Sequence, residues 1–286
     1  MASSSGDATG TEDGKVSGFN ATTYAPLAPY LKSHKRPICK LLAVRCTDIE
    51  LLISGSKDGQ ICVWRTEPNH PQEALRIWRH QTRVISGLVA HGSLLYVASL
   101  DGSTVVYDLD QLSPIGELAR NDLRTSGIIP IKEIAIVVSS SSWEGAKLIA
   151  ADKKGNLVDW NISQSAIRQG RKLQAIEPGT PIVNSWVNGS VGEQTRLSSG
   201  LEVLHLPHTI LQQTRREPTC LRVFDGCLVM LADKLGSVAA YNILQSYQLF
   251  ESAEVHQEAI SDIALTPYVC SMHTVRRPCL IAYENP

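Results

Sequence analysis

The chain has 286 residues, 43% of them hydrophobic and 6% aromatic, and its 27 Lys+Arg against 28 Asp+Glu leave a net charge of −1. That length allows one large all-β domain or two smaller ones, and the hydrophobic share is enough for a sizeable core. The charge balance lacks the basic footprint of a nucleic-acid or anionic-membrane binder, so neither is expected as a partner.

The first residues, Met1-Ala2-Ser3-Ser4-Ser5-Gly6-Asp7, lack both the charged start and the apolar core of a secretory signal. No run approaches the roughly 18 apolar residues of a membrane span. Seven cysteines (Cys39, Cys46, Cys62, Cys220, Cys227, Cys270, Cys279) are odd in number and form no C-x-x-C pair. They read as reduced thiols in a cytoplasmic protein, with a nuclear location as the alternative.

Residues 1–32 are rich in Gly, Ser, Thr, Ala and Asp and read as a disordered leader, with some strand character from Thr22 to Leu27. From Pro37 onward the chain reads as short β-strands. Ile38 to Val44 is the first, and Leu51 to Ser54 with Ile61 to Trp64 form a hairpin about Lys57-Asp58-Gly59. Asp-Gly suits a tight reversal because glycine takes φ > 0 without steric cost. Ala74 to Trp78 makes a fourth strand after the loop holding Pro68 and Pro71. Val84 to Val89, Leu94 to Ser99, Thr104 to Asp108 and Ile115 to Leu118 repeat the set. No stretch shows a helical period of useful length, so the expected fold class is all-β.

Turn glycines recur at Gly59, Gly102, Gly155, Gly200 and Gly236, at intervals of 43, 53, 45 and 36 residues. Asp58-Gly59…Trp64 is echoed by Asp101-Gly102…Tyr107, by Lys154-Gly155…Trp160 and by Leu235-Gly236…Tyr241. Gly200 is the weak member, since no aromatic closes Leu201 to Leu206. A period of about 40–45 residues with four strands each signals propeller blades.

The pattern resembles the WD40 repeat family. Four residues of the first repeat match that family's blade: His34, Ser54, Asp58 and Trp64. The resemblance implies a buried hydrogen-bond chain of indole, hydroxyl, imidazole and carboxylate. The second repeat keeps His80 and Asp101 with Tyr107 at the aromatic position; the third keeps Trp160 but has Lys154 at the Asp position. His256 opens a sixth unit with Ile260 to Leu265 and a second strand at Cys279 to Tyr283. The resemblance implies a WD40-type propeller of five full blades (33–79, 80–120, 121–176, 177–214, 215–252) and a partial sixth (253–286). Either a strand near Tyr24 joins the last blade or the chain is the N-terminal piece of a longer protein; the second is expected. Lys35-Arg36-Pro37, Asp58 to Trp64, Pro71 to Leu75 and His80 also resemble the opening of the rabconnectin-3 beta family. Those large WD40 proteins assist assembly and regulation of the vacuolar proton ATPase.

His34, Ser54 and Asp58 have the residue types of a catalytic triad, but the repeat spacing explains them as structural, and no G-x-S-x-G is present. No enzyme activity is expected, and no cofactor, since no G-x-G-x-x-G or P-loop pattern occurs. His205 and His208 lack further ligands in sequence, so no metal is expected. Trp143 and Trp186 fall outside the turn-aromatic position, and Trp78 is either a docking aromatic or outer-strand packing. The expected function is a scaffold for protein–protein interaction within a multi-subunit complex. Arg36, Arg83 and Glu258, in the loops before first strands, form the candidate partner-binding face. The alternative is an RNA-associated or enzyme-associated accessory subunit. It would use basic loops carrying Lys153, Lys154, Arg168, Arg171 and Lys172, with Arg215-Arg216 and Arg276-Arg277 as further basic pairs.

Overall fold

The structure, a computed structural model, describes residues 6–20, 23, 26–46, 49–66, 73–120, 129–138, 145–176, 199–212, 216–224, 226, 228–243, 248–254, 256–268 and 277–284. The chain divides into two units, Met1–Asn121 with Gln164–Pro207, and Asp122–Ser163 with His208–Pro286. Both are built of antiparallel meanders, and the fold is all-β and propeller-like.

In the first unit, β1 (Gly6–Gly10), β2 (Lys15–Asn20) and β3 (Pro26–Lys32) form a three-stranded sheet. A four-stranded sheet follows in the order β4 (Ile38–Cys46), β5 (Ile49–Ser56), β6 (Ile61–Arg65), β7 (Arg76–Trp78). The third contains β8 (Ile85–His91), β9 (Leu94–Ser99), β10 (Thr104–Asp108) and β11 (Ser113–Leu118). In the second unit β12 (Ile131–Val138), β13 (Ala146–Asp152) and β14 (Asn156–Asn161) begin a fourth sheet. The chain then gives α1 (Gln164–Ile176) and β15 (Val203–Leu204) to the first unit. β16 (His208–Gln212) closes the fourth sheet against β14. β17 (Pro218–Phe224), β18 (Leu228–Asp233), β19 (Ser237–Asn242) and β20 (Gln248–Glu254) make the fifth. β21 (Ile260–Tyr268) pairs with β22 (Arg277–Glu284).

Side chains alternate across a strand, so a strand buried on both faces feeds two cores. In β6, Ile61 and Val63 join Leu95, Val97, Val105 and Tyr107 of the next sheet, while Cys62 and Trp64 pack with Val16 and Leu31 of the preceding one. In β18, Val229 and Leu231 meet Ile149 and Leu157, whereas Met230 and Ala232 meet Ile260 and Ile263. Within each unit, face-to-face stacking of successive sheets explains why the central strands are continuously apolar.

The first strand of five sheets carries a bulge near its start, at Ile38/Lys40, Ile85/Gly87, Ile131/Glu133, Pro218/Cys220 and Ile260/Asp262. That regularity counts the repeats independently of the turns. The structure corrects the sequence reading in three places.

Residues 1–32 are not a disordered leader where described, because they hold β1–β3. Thr11-Glu12-Asp13-Gly14 makes the same turn as the later repeats, with Gly14 at φ +80°. Tyr24, where a closing strand was placed, lies outside the described residues. The described residues of 177–214 form no separate blade: Gly200 precedes β15, which pairs in parallel with β11, and β16 completes the sheet begun at β12. Residues 177–198 lie outside the described residues. The third correction is α1, a helix where only strands were expected. Asn161 Oδ1 accepts from Ser163 N at 2.9 Å ahead of the helix, and Ala166, Ile167 and Gly170 supply a narrow buried stripe. A Cβ at Gly170 would lie 2.9 Å from Leu204 Cδ1, so glycine allows the close approach of β15.

Candidate functional site

The repeated polar residues converge locally. Trp64 Nε1–H donates to Ser54 Oγ at 2.9 Å, and Ser54 Oγ lies 2.6 Å from His34 Nε2. The set is satisfied when the serine hydrogen points to an unprotonated Nε2. All three are buried, with His34 2% exposed, and burial lowers the imidazole pKa to about 4. Asp58 departs from the expected chain of four. Its carboxylate accepts from Ser56 Oγ at 2.5 Å, and it reaches His34 only through the electric field. A neutral imidazole with its Nε2 engaged by Ser54 is a structural tie between β5, β6 and the segment before β4.

In the second repeat Tyr107 OH lies 3.0 Å from His80 Nδ1, and Asp101 accepts from Thr82 N at 2.7 Å and from Ser103 Oγ at 2.6 Å. The third and fifth repeats keep a turn carboxylate that a search at the residue before glycine misses. It sits two residues earlier. Asp152 accepts from Lys154 N (2.9 Å) and Asn156 N (3.0 Å), and Asp233 from Leu235 N (2.8 Å) and Ser237 N (3.0 Å). The signal was in the sequence: where Ser or Thr stands three residues before the glycine, Asp stands next to it, and where Lys154 or Leu235 replaces that Asp, Asp takes the earlier place.

Arg36, Arg83 and Glu258 hold equivalent places, each within its own unit. Their carbonyls, with those of His34, Gln81 and His256, close over Gly14, Gly59 and Gly236. All three side chains are exposed. Lys153 and Lys154 are exposed in the β13–β14 turn of the second unit, while Arg168 and Arg171 lie on α1 of the first. Two of the basic residues are tied to carboxylates: Arg171 to Asp108 at 3.5 Å and Arg216 to Asp233 at 3.6 Å. The side chain of Lys172, and Arg215, Arg276, Trp143 and Trp186, lie outside the described residues. His208 opens β16 beside Trp160, with ring centroids 6.1 Å apart. Trp78 is a core residue, 4% exposed and stacked on Tyr107 at 4.1 Å, so the docking alternative falls.

The neighbours of Trp78 form a surface the sequence did not announce. Two recesses of ≈ 360 and ≈ 380 Å³ meet at Leu112 in the first unit. Arg76, Ile77, Arg79 and Pro114 line one, and Ile49, Leu75 and Leu109 line the other. Leu75 and Ile77 are 37% and 44% exposed, two of the three exposed large hydrophobics among the described residues. Leu112 is the single described non-glycine residue at positive φ (47°), a conformation that costs an L-residue about 1–2 kcal/mol. Arg76 Nε donates to its carbonyl at 3.2 Å. Arg79 donates to Gln60 Oε1 at 3.0 Å, and neither arginine has a carboxylate within ion-pair distance among the described residues. Sequence reasoning could not find this site, because whether a guanidinium is paired is decided by the fold.

No protein-family model matches the chain, and no curated protein matches it. Among solved structures it resembles a chain of the mitotic checkpoint complex, with TM-score 0.63, 14% identity, 92% of this chain covered and 65% of that one. It also resembles the computationally designed Ika8 protein, with TM-score 0.61, 15% identity, 93% of this chain and 64% of that chain. The chain thus spans somewhat less than two thirds of either structure's length, and at these identities the likeness concerns the fold.

Proposed function

We propose that the chain is a non-enzymatic, WD40-type scaffold that docks other proteins, cytoplasmic in location, and that it serves assembly or regulation of the vacuolar proton ATPase. The observation that carries the docking role is the double recess beside β7, where exposed apolar side chains lie next to two guanidiniums that have no carboxylate partner among the described residues. Arginine beside exposed aliphatic surface favours a protein partner, since the apolar part gains by burial and the charge gives orientation. The polar residues resembling a catalytic set are consumed in internal hydrogen bonds, which supports a frame rather than an active site. The pump assignment rests on the resemblance of residues 35–80 to the rabconnectin-3 beta family. Affinity purification of the whole chain with mass spectrometry tests it. Stoichiometric recovery of pump subunits is expected, and their consistent absence removes that assignment.

A further inference from the structure

We propose that the outer edge of β7, unpaired among the described strands, binds an extended, acidic segment of a partner protein by strand addition. The inference rests on the docking role and names the chemistry of its partner.

A blade edge of this fold already captures an extended segment. β11 is the outer strand of its meander, yet β15 pairs with it in parallel, Glu117 with Val203 and Leu118 with Leu204. Leu204 is fully buried there. β7 is the corresponding outer strand of the preceding sheet, and no described strand pairs beyond it. An edge strand offers unpaired N–H and C=O groups, and an added strand satisfies them while pockets read alternate side chains.

The surroundings of β7 select the side chains. Leu75 and Ile77, two residues apart, offer an apolar strip. Arg76 and Arg79 flank the recess that Ile77 lines, with guanidinium hydrogens uncommitted to any described carboxylate. Carboxylates on the incoming strand would meet them in charge-assisted hydrogen bonds. The strained turn at Leu112 ends the recess and is held by Arg76, so it fixes the trough's outer wall.

The test is fluorescence anisotropy with the full chain and three labelled, end-blocked decapeptides: (Glu-Val)5, (Lys-Val)5 and (Glu-Pro)5, the last lacking every second backbone N–H and held by its prolines away from regular strand geometry. (Glu-Val)5 is expected to bind at least tenfold more tightly than either comparator, and more weakly as salt rises. Arg76→Glu with Arg79→Glu should weaken it at least tenfold, while Arg168→Glu on α1 leaves it unchanged. Ile77→Glu, an exposed change, gives the same reading if the double variant fails to fold. Equal binding of (Glu-Val)5 and (Lys-Val)5, unchanged binding by the variants, or no binding because a segment of this chain covers the edge would each overturn the proposal. Failure here is separable from failure of the scaffold role. Partners that copurify equally with wild type and with the double variant leave the scaffold standing and remove the β7 site.

Discussion

Gly59 offers the sharpest test of how the sheets lock together. Its φ of +82° excludes comfortable occupancy by any L-residue, and a Cβ would stand 2.2 Å from the Gln81 carbonyl oxygen. That carbonyl cannot move freely, because Gln81 Nε2 is bonded to Val97 O at 2.8 Å and the next amide, Thr82 N, to Asp101 at 2.7 Å. The left-handed conformation costs alanine about 1–2 kcal/mol, and forced separation of packed backbone adds about 1–3 kcal/mol more. Gly200 provides the control. It sits at φ +69° with nothing within 4 Å, so alanine there meets only the conformational term. Thermal melting followed by tryptophan fluorescence should show Gly59→Ala losing at least twice as much stability as Gly200→Ala. Gly236→Ala, with 2.0 Å to His256 O, should rank with Gly59, and Gly14→Ala, with 2.5 Å to His34 O, between them and Gly200. Equal losses at Gly59 and Gly200 would refute the idea that these turns are glycine because the next loop's carbonyl presses on them.

Ser54→Ala strips a partner from both Trp64 Nε1–H and His34 Nε2; with each buried orphan costing about 1–3 kcal/mol, urea midpoints should report a loss of about 2–6 kcal/mol. A change below about 0.5 kcal/mol would mean the network is not closed to water. For His34 the folded pKa lies at about 4 against 6.5 unfolded, so the unfolded chain binds more protons between those values. Stability is therefore full above about pH 6.5 and falls as pH drops toward 4, by about 3 kcal/mol. Replacing His34 by glutamine should flatten that slope, and an unchanged slope sinks the assignment. Glu117 is 5% exposed, and burial, with Asp101 adding, raises its pKa above the usual range against the hydrogen bonds from Ser199. Its contribution is present at low pH and lost as pH rises through the folded value. Glu117→Gln should then raise the melting temperature at pH 7 and lose that advantage near pH 4; a lower melting temperature at pH 7 would count against it.

What could be read in advance follows from where the information resides. The hairpins were legible because Asp-Gly and apolar alternation are local properties, and Asp58-Gly59 with Asp101-Gly102 flank strands found where expected. The partnership of Trp64, Ser54 and His34 was legible through the resemblance of the first repeat to a WD40 blade. The share of Asp58 was not, because Ser56 Oγ competes for the same carboxylate and only geometry shows which donor wins. Composition misled at residues 6–32, where β1–β3 are poor in large apolar side chains yet find cover against Ile38, Leu41 and Trp64. A single glycine misled at Gly200, where positive φ serves the approach to β15 rather than a hairpin. The short buried stripe of α1 was invisible to a search for long periodicity, since Gly170 is there to admit Leu204. The recess beside β7 depends on which arginines have no described carboxylate partner, a property no window of sequence contains.

The passage of the chain from the first unit into the second and back has a consequence for synthesis. Ser199 donates to a carboxylate 82 residues earlier, through its amide at 3.2 Å and its hydroxyl at 2.5 Å, and the strand it introduces is the last piece of the first unit. Three strands of the second unit leave the ribosome before that piece does. A nascent chain halted after Asn121 therefore lacks cover on β11, and the bare edge is a site for wrong pairing until residues 199–206 arrive. Excising either unit as a contiguous stretch would sever the other, so neither can be cut away leaving its neighbour whole.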